Sequence, residues 1–140
     1  MRAKTVCTDL AVSAGSSAVS SAILLIAGYT GSQVGEAVPG EDLAFSSSGS
    51  AVVAISYNAA ILESGDTIAL FGSNNYYSDS GSGETFSALG TYTWPTAESS
   101  VSQTGVVFLD RVPLAEAVYV KVTAAGASAA GTVTVTLLTS

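Results

Sequence analysis

Apolar and polar residues alternate most clearly near the C-terminal end of the chain. Over 117–123 every second residue is a valine, and over 131–138 valines and a leucine alternate with threonines. A period of two in β-branched residues is typical of a strand with one buried face. The small residues of 124–130 predict a hairpin loop between these two strands. Because a hairpin alone is only marginally stable in water, the rest of the chain must supply a sheet that covers the valines.

Apolar runs separated by turn residues predict further strands in the rest of the chain. The predicted strands are 4–12, 18–26, 51–57, 67–72, 84–89 and 105–110. Glycine or other small and polar residues are frequent in 28–40, 73–83 and 90–103, which we predict to be long loops. Seven or eight short strands without a helical pattern predict an all-β protein. The expected fold is a single-domain β-sandwich over residues 1–140, jelly-roll-like or immunoglobulin-like in topology.

Composition adds that little of the surface is charged. Charged residues are 11% of the chain and hydrophobic residues 48%, whereas a quarter charged is usual. This balance suits an extended β protein whose surface is partly covered by partners. The net charge of −7 comes from eleven acidic and four basic residues. We therefore expect no nucleic-acid partner, because phosphate contacts require clustered lysine and arginine.

The apolar run 22–27 is the only segment that resembles a signal peptide or a membrane span. It is too short to cross a bilayer, and Asp9 and several serines interrupt the approach to it, so we predict a strand and no membrane partner. Cys7 is the single cysteine, so no internal disulfide can form. That fits folding in a reducing cytoplasm, with Cys7 as a small buried residue of an edge strand.

The chain contains no histidine, which excludes Ser-His-Asp and Cys-His catalysis and zinc sites built from cysteine and histidine. Three acidic pairs remain as candidate chemistry: Glu41 with Asp42, Glu63 with Asp66, and Asp79 with Glu84. Carboxylate pairs can bind calcium or hydrolyse glycosides. None of the three has the spacing of a calcium loop, and acidic residues beside glycines usually form turns. We therefore predict no enzyme, no metal site and no cofactor.

Four aromatic residues in the predicted loops and two basic residues at the start of the chain are the candidate contact residues. They are Arg2, Lys4, Tyr76, Tyr77, Tyr92 and Trp94. Aromatic side chains in loops supply contact area at low entropic cost, so they often mark protein interfaces. The same aromatics could instead stack on sugars or close the ends of the sandwich. The two basic residues belong to an N-terminal segment that either faces solvent or binds an acidic surface.

Several segments, taken in order, resemble the small capsid cement (decoration) proteins of tailed bacteriophages, especially short-tailed phages. The segments are LAVSAGSS at 10–17, VGE at 34–36, GDTIAL at 65–70, VPL at 112–114, AVYVKV at 117–122 and GTVTVTLL at 131–138. The ending from VPL to GTVTVTLL is the most specific part. The paired tyrosines of the 73–83 loop have no place in this resemblance.

The resemblance implies a jelly-roll-like β-sandwich without a catalytic motif. Such a protein is made in the host cytoplasm and sits on the outer surface of the virion capsid. It binds the major capsid protein and neighbouring copies of itself, and stabilises the shell by bridging subunits. Residues 1–9 are the expected contact arm, which could add a strand to a neighbour's sheet. We expect deletion of this arm to weaken attachment without unfolding the domain.

Two other functions are compatible with the sequence. The chain could be another phage structural part, such as a neck or tail-fibre module. Copy number separates these roles, because a cement protein is present in hundreds of copies and a neck protein in about a dozen. The chain could also be a carbohydrate-binding module that uses its loop aromatics.

Overall fold

The computed structural model describes residues 2–25, 50–73, 86–95, 101–115 and 117–139, and these ranges contain nine β-strands and no helix. The strands are β1 (Arg2–Ala11), β2 (Ser16–Val19), β3 (Ile23–Leu24), β4 (Ser50–Ile61), β5 (Thr67–Ser73), β6 (Ser87–Thr93), β7 (Gln103–Pro113), β8 (Ala117–Ala124) and β9 (Ala130–Thr139). Most of the predicted strands are confirmed. The predicted strand 18–26 is divided into β2 and β3, and β6 continues into the predicted loop 90–103. The predicted loop 28–40 and all but the first residue of 73–83 lie outside the described residues.

The strands form two antiparallel sheets that pack face to face, which confirms the predicted β-sandwich. The first sheet has the order β1-β9-β4-β7. The second has the order β2-β8-β5-β6, and β3 pairs with β8 on the same edge as β2. Valines and leucines from both sheets form one hydrophobic core.

The strand pairs are nested, so that the chain doubles back on itself. The first strand pairs with the last, β2 and β3 pair with β8, β4 pairs with β7, and β5 pairs with β6. Two further pairings join these pairs into sheets. The pairing of β4 with β9 completes the first sheet, and the pairing of β5 with β8 completes the second. The pair β5–β6 is therefore the innermost of this nested set.

The predicted C-terminal hairpin is wrong. The strands β8 and β9 belong to different sheets, and the connection between them crosses from one sheet to the other. Val120 and Val122 enter the core from the second sheet, while Val133 and Val135 enter it from the first. Alternation shows that a strand has one buried face, but two such strands can satisfy it by packing across a core as well as by pairing side by side.

The N-terminal segment is not a detached arm. Arg2 pairs with Thr139, and the pairing of β1 with β9 continues to Ala11. Val6 lies in the core with 6% of its surface exposed. Residues 2–9 are thus an edge strand of the sandwich. Their deletion should therefore lower the stability of the domain, because the β1–β9 pairing and the burial of Val6 would be lost.

Three strands of the first sheet contain a bulge of the same design. Asp9, Ala59 and Arg111 have φ values of 50°, 51° and 54°, each at a shift in strand register. The residue after each of them faces the core: Leu10, Ala60 and Val112. The bulges thus change the phase of the alternation, so that polar Asp9 and Arg111 stay outside the core.

Candidate interaction surface

Exposed apolar side chains concentrate on β7, the edge strand of the first sheet. Phe108 is 59% exposed and Val106 is 48% exposed. Val101, two residues before the strand, is 49% exposed. Among the described residues, the other large apolar side chain of this kind is Val19 on β2, in the second sheet. Most of the exposed large apolar side chains thus lie on or beside one strand.

The alternation of β7 places these side chains on the outer face of the first sheet. Phe108 lies beside Ala54 of β4, which in turn lies beside Thr136 of β9. Val106 lies beside Ser56 in the same way. The outer face is therefore apolar along β7 and becomes hydroxyl-rich toward β9.

A concave pocket of about 490 Å³ lies at one end of this outer face. It is lined by Ser50, Ala51, Val52, Asp110, Arg111, Leu138 and Thr139. Asp110 and Arg111 are exposed and bring opposite charges to a lining that is otherwise apolar or hydroxyl-bearing. The left-handed backbone of Arg111 at the β7 bulge keeps its side chain out of the core.

The sequence did not point to these surface residues. The run Val106–Leu109 has the composition of a buried strand, and alternation does not say which strand of a sheet is left at its edge. The bulge at Arg111 contains no glycine, so the sequence does not indicate it. The run is apolar at every position and carries no charge. This pattern is compatible with an edge strand, but a buried central strand shows the same pattern.

The predicted role of Trp94 at the surface is wrong. Its side chain is 3% exposed and belongs to the core. It makes edge-to-face contacts with Tyr57, at a centroid distance of 5.0 Å, and with Tyr92, at 6.0 Å. Tyr92 is half-buried on β6 and also packs against the core. The nearby Gly90 and Pro95 predict a loop, but β6 continues to Thr93 and brings Trp94 into the core.

The acidic pair Glu63 and Asp66 forms a turn, as predicted. Asp66 is 6% exposed, and its carboxylate accepts hydrogen bonds from the backbone N–H of Glu63 at 2.7 Å and of Ala125 at 3.1 Å. The carbonyl oxygen of Asp66 accepts a hydrogen bond from the N–H of Trp94 at 2.7 Å. One aspartate therefore ties together three segments at one end of the sandwich: the turn after β4, the end of β6 and the β8–β9 connection.

Two of the other predicted contact residues lie on β1, at the opposite edge of the first sheet from β7. Arg2 begins β1, and Lys4 is half-buried on the same strand, where it pairs with Leu137. Tyr76 and Tyr77 lie outside the described residues, as do the pairs Glu41–Asp42 and Asp79–Glu84.

The outer face of the second sheet carries an aromatic cluster that the sequence did not predict. Phe71 stacks on Tyr119 with their planes 10° apart and a centroid distance of 5.3 Å. Phe86 contacts the same tyrosine edge to face at 4.9 Å. The ammonium group of Lys121 lies 5.8 Å from the centre of the Phe71 ring, within the range of a cation–π contact. All three aromatic side chains are half-buried, so much of their ring surface is used within the cluster.

Within the described ranges, no group of three or more cysteine and acidic side chains is arranged to hold a metal ion. The same residues include no helix long and apolar enough to cross a membrane. No protein-family model, curated protein or solved structure matches the chain. The candidate surfaces are therefore interpreted from the contacts, exposure and charge of this chain's own residues.

Proposed function

We propose that the protein is a structural component of a bacteriophage virion. In this role it binds the outer surface of the capsid and stabilises the shell by bridging major capsid protein subunits, with other copies of itself as neighbours. It is made in the host cytoplasm, acts without a cofactor, and binds neither nucleic acid nor membrane. The observation that carries this proposal is the apolar outer face of the first sheet, where Phe108 is 59% exposed.

The nested strand pairs support a jelly roll as the topology. A jelly roll has eight strands in two sheets, arranged as two Greek keys. This chain fits that arrangement if β2 and β3 are counted as one interrupted edge strand, since both pair with β8 from the same side. Jelly rolls are found in viral capsid proteins and also in lectins, so the topology is compatible with the proposed role without being specific to it.

The outer face suits a partner that binds through many repeated weak contacts. Covering the exposed part of Phe108 is worth on the order of 1 kcal/mol, which is too little to hold one copy firmly. On a shell with many equivalent sites, a copy that contacts several subunits at once gains from the high effective concentration of its second contact. Binding to the assembled shell alone then stabilises the shell by mass action.

The test compares two lysine substitutions at outward-facing positions of different sheets. Ala54→Lys adds a charge to the middle of the proposed contact face, beside Phe108. Thr91→Lys adds the same charge to an exposed position of β6. Each variant is added to purified phage particles that lack the protein. Bound copies are counted by gel densitometry, and the heat tolerance of the particles is measured.

We expect wild-type protein and Thr91→Lys to bind in hundreds of copies and to raise heat tolerance. Ala54→Lys should bind weakly and protect little, although its melting temperature stays near that of Thr91→Lys. Equal binding by both variants would exclude the first sheet as the contact face. A wild-type protein found in about a dozen copies would favour the neck or tail-fibre role, and its absence from particles would exclude a virion role.

A carbohydrate-binding module is the second candidate, and the cluster of Phe71, Phe86 and Tyr119 favours it. Aromatic rings on the outer face of a sheet can stack on sugar rings, whereas buried Trp94 cannot. A glycan array probed with wild-type protein and with Tyr119→Ala tests this. Sugar binding that is lost in Tyr119→Ala would support the candidate, and an array without any signal would eliminate it.

A further inference from the structure

The edges of the two sheets are unequally protected against pairing with another chain. The edge strands among the described residues are β1 and β7 in the first sheet, and β6 and the β2–β3 segment in the second. Natural proteins shield such edges with charge, bulges or short strands, because an open edge presents unpaired N–H and C=O groups. The edge with the least shielding is therefore the one expected to pair with another strand.

Three of the four edges carry such protection. The strand β1 bears Lys4 and is interrupted by two register shifts. The β2–β3 edge consists of strands of four and two residues. The strand β6 has seven residues and a register shift near Leu89, where its pairing moves from Gly90 to Ala88.

The strand β7 lacks these devices over most of its length. It has eleven residues, and Gly105 to Leu109 pair with β4 without a break. The segment 103–109 contains no charged residue and no proline. Its bulge and Pro113 come only at the far end. A long, apolar, uncharged edge of this kind is where another strand is expected to add.

We propose that the edge of β7 that no described strand covers pairs antiparallel with β7 of a second copy, which extends the first sheet across a two-fold axis. With the axis at Val107, Val106 of each copy lies opposite Phe108 of the other on the outer face. Cross-strand pairs of an aromatic and a β-branched residue are stabilising. Thr104 then lies opposite Asp110, so no like charges face each other.

Other registers give less favourable cross-strand pairs of side chains. An axis at Val106 places Phe108 opposite Thr104, and an axis at Phe108 places Val106 opposite Asp110. Only the axis at Val107 pairs both exposed apolar side chains with each other. This self-complementarity is what a two-fold interface requires, because each copy presents the same surface to the other.

Charge also favours a second copy at this edge. Each copy carries a net charge of −7, so most surfaces of two copies repel each other. The uncharged segment 103–109 reduces this repulsion at the point of contact. Pairing through one strand buries a small area, so we expect a weak dimer that dissociates on the order of micromolar concentrations.

The pairing concerns the free protein and does not depend on a capsid. Its test is therefore made by analytical ultracentrifugation in the absence of phage particles. The variants are Val106→Lys and Phe108→Glu, which place a charge at the proposed contact, and Val19→Lys, which places one on an exposed edge of the second sheet. All three positions are about half exposed, so folding is checked by circular dichroism and is expected to be unchanged.

We expect wild-type protein and Val19→Lys to dimerise with similar affinity. Val106→Lys alone and Phe108→Glu alone should self-associate about tenfold or more weakly. A mixture of these two variants should regain dimers, because the axis at Val107 puts the new lysine of one copy opposite the new glutamate of the other. Recovery in the mixture is specific to this register.

Three results would overturn the proposal. The first is wild-type protein that stays monomeric at all accessible concentrations. If Val106→Lys then also loses particle binding, the β7 edge pairs with a strand of another protein instead. The second is a Val106→Lys dimer as stable as that of Val19→Lys. The third is a mixture that remains monomeric. The proposed capsid contact is tested separately, because binding of Ala54→Lys is measured on phage particles, whereas dimerisation of the β7 variants is measured without them.

Discussion

Gly131 lies directly against the bulge of β4, and a Cβ atom on it would come within 2.6 Å of the carbonyl oxygen of Ala59. At this point the register between β4 and β9 shifts, so that Ala59 and Ala60 oppose Gly131 alone. Gly131 also has a φ of 100°, which side chains disfavour. Backbone conformation and lack of space therefore both require glycine here.

Replacing Gly131 by alanine should destabilise the protein by about 2 kcal/mol or more, because strain at φ and overpacking each cost about 1–3 kcal/mol. Gly65→Ala is the matched control. Gly65 has a φ of 94° but nothing near the position of a Cβ atom, so its cost should be about 1 kcal/mol. Urea unfolding followed by the fluorescence of Trp94 measures both. Equal losses would mean that the contact with Ala59 has no energetic weight.

Two threonines supply hydrogen bonds to the bulges. Thr134 Oγ1 accepts the N–H of Asp9 at 2.9 Å, and Thr104 Oγ1 accepts the N–H of Ala59 at 3.0 Å. Thr134→Val and Thr104→Val keep the side-chain shape but remove the acceptor, and Thr104→Val also removes the hydroxyl that donates to Asn58 Oδ1 at 3.2 Å. Each should cost about 0.5–1 kcal/mol, since these amides are near solvent and water can replace the hydroxyl in part.

Thr136→Val is the control for these substitutions, because Thr136 pairs with Thr5 and Ala54, away from the bulges at Asp9 and Ala59. It should leave stability unchanged or raise it slightly, as valine favours strands. Melting curves recorded by circular dichroism provide the comparison. If all three variants lose the same stability, the bulge hydrogen bonds are not what the threonines contribute.

Asp66→Ala should lower the free energy of unfolding by about 2–3 kcal/mol. It leaves the N–H groups of Glu63 and Ala125 without their carboxylate acceptor, and unsatisfied donors are costly where water is excluded. Asp110→Ala removes an exposed carboxylate and should cost little. Hydrogen exchange should also show faster exchange at Ala125 in Asp66→Ala. Unchanged protection of that amide would argue against the proposed tie between segments.

Cys7 should react slowly while the protein is folded. Burial raises the pKa of its thiol above the ordinary value of 9.0, against a smaller opposing effect of a backbone hydrogen bond at Val135. At pH 8 the folded thiol is therefore less ionised than the unfolded one, and the thiolate is the reactive form. We expect alkylation by iodoacetamide to be slower in the folded protein than in urea. Cys7→Ala provides the background rate.

The same shift in pKa predicts a loss of stability in alkali. The contribution of Cys7 is fully present well below pH 9.0, where the thiol is protonated in both states. As the pH rises above that value, the unfolded thiol loses its proton first, which favours unfolding. The fall in the free energy of unfolding above pH 9 should therefore be smaller in Cys7→Ala. Identical curves for the two proteins would contradict this.

Much of the core could be predicted from the sequence. The alternating valines of 117–123 and 131–138 are buried as expected, and the acidic residues Glu63 and Asp66 form a turn. The candidate surface could not be predicted in this way. Phe108 and Val106 belong to a run with the composition of a buried strand, and they are exposed because β7 is an edge. Trp94 has loop-like neighbours, yet it closes the core against Tyr57.

The division follows from the range of the interactions involved. Hydrophobic alternation and turn residues act over a few positions, so the chain's own pattern is enough to establish strands, their buried faces and a β-sandwich. Which strands share a sheet depends on pairs such as Arg2 with Thr139, which are far apart in the chain. Sheet order, the phase changes at the three bulges and the open edge of β7 are therefore decided only when the strands assemble, because each depends on which distant strand becomes a neighbour.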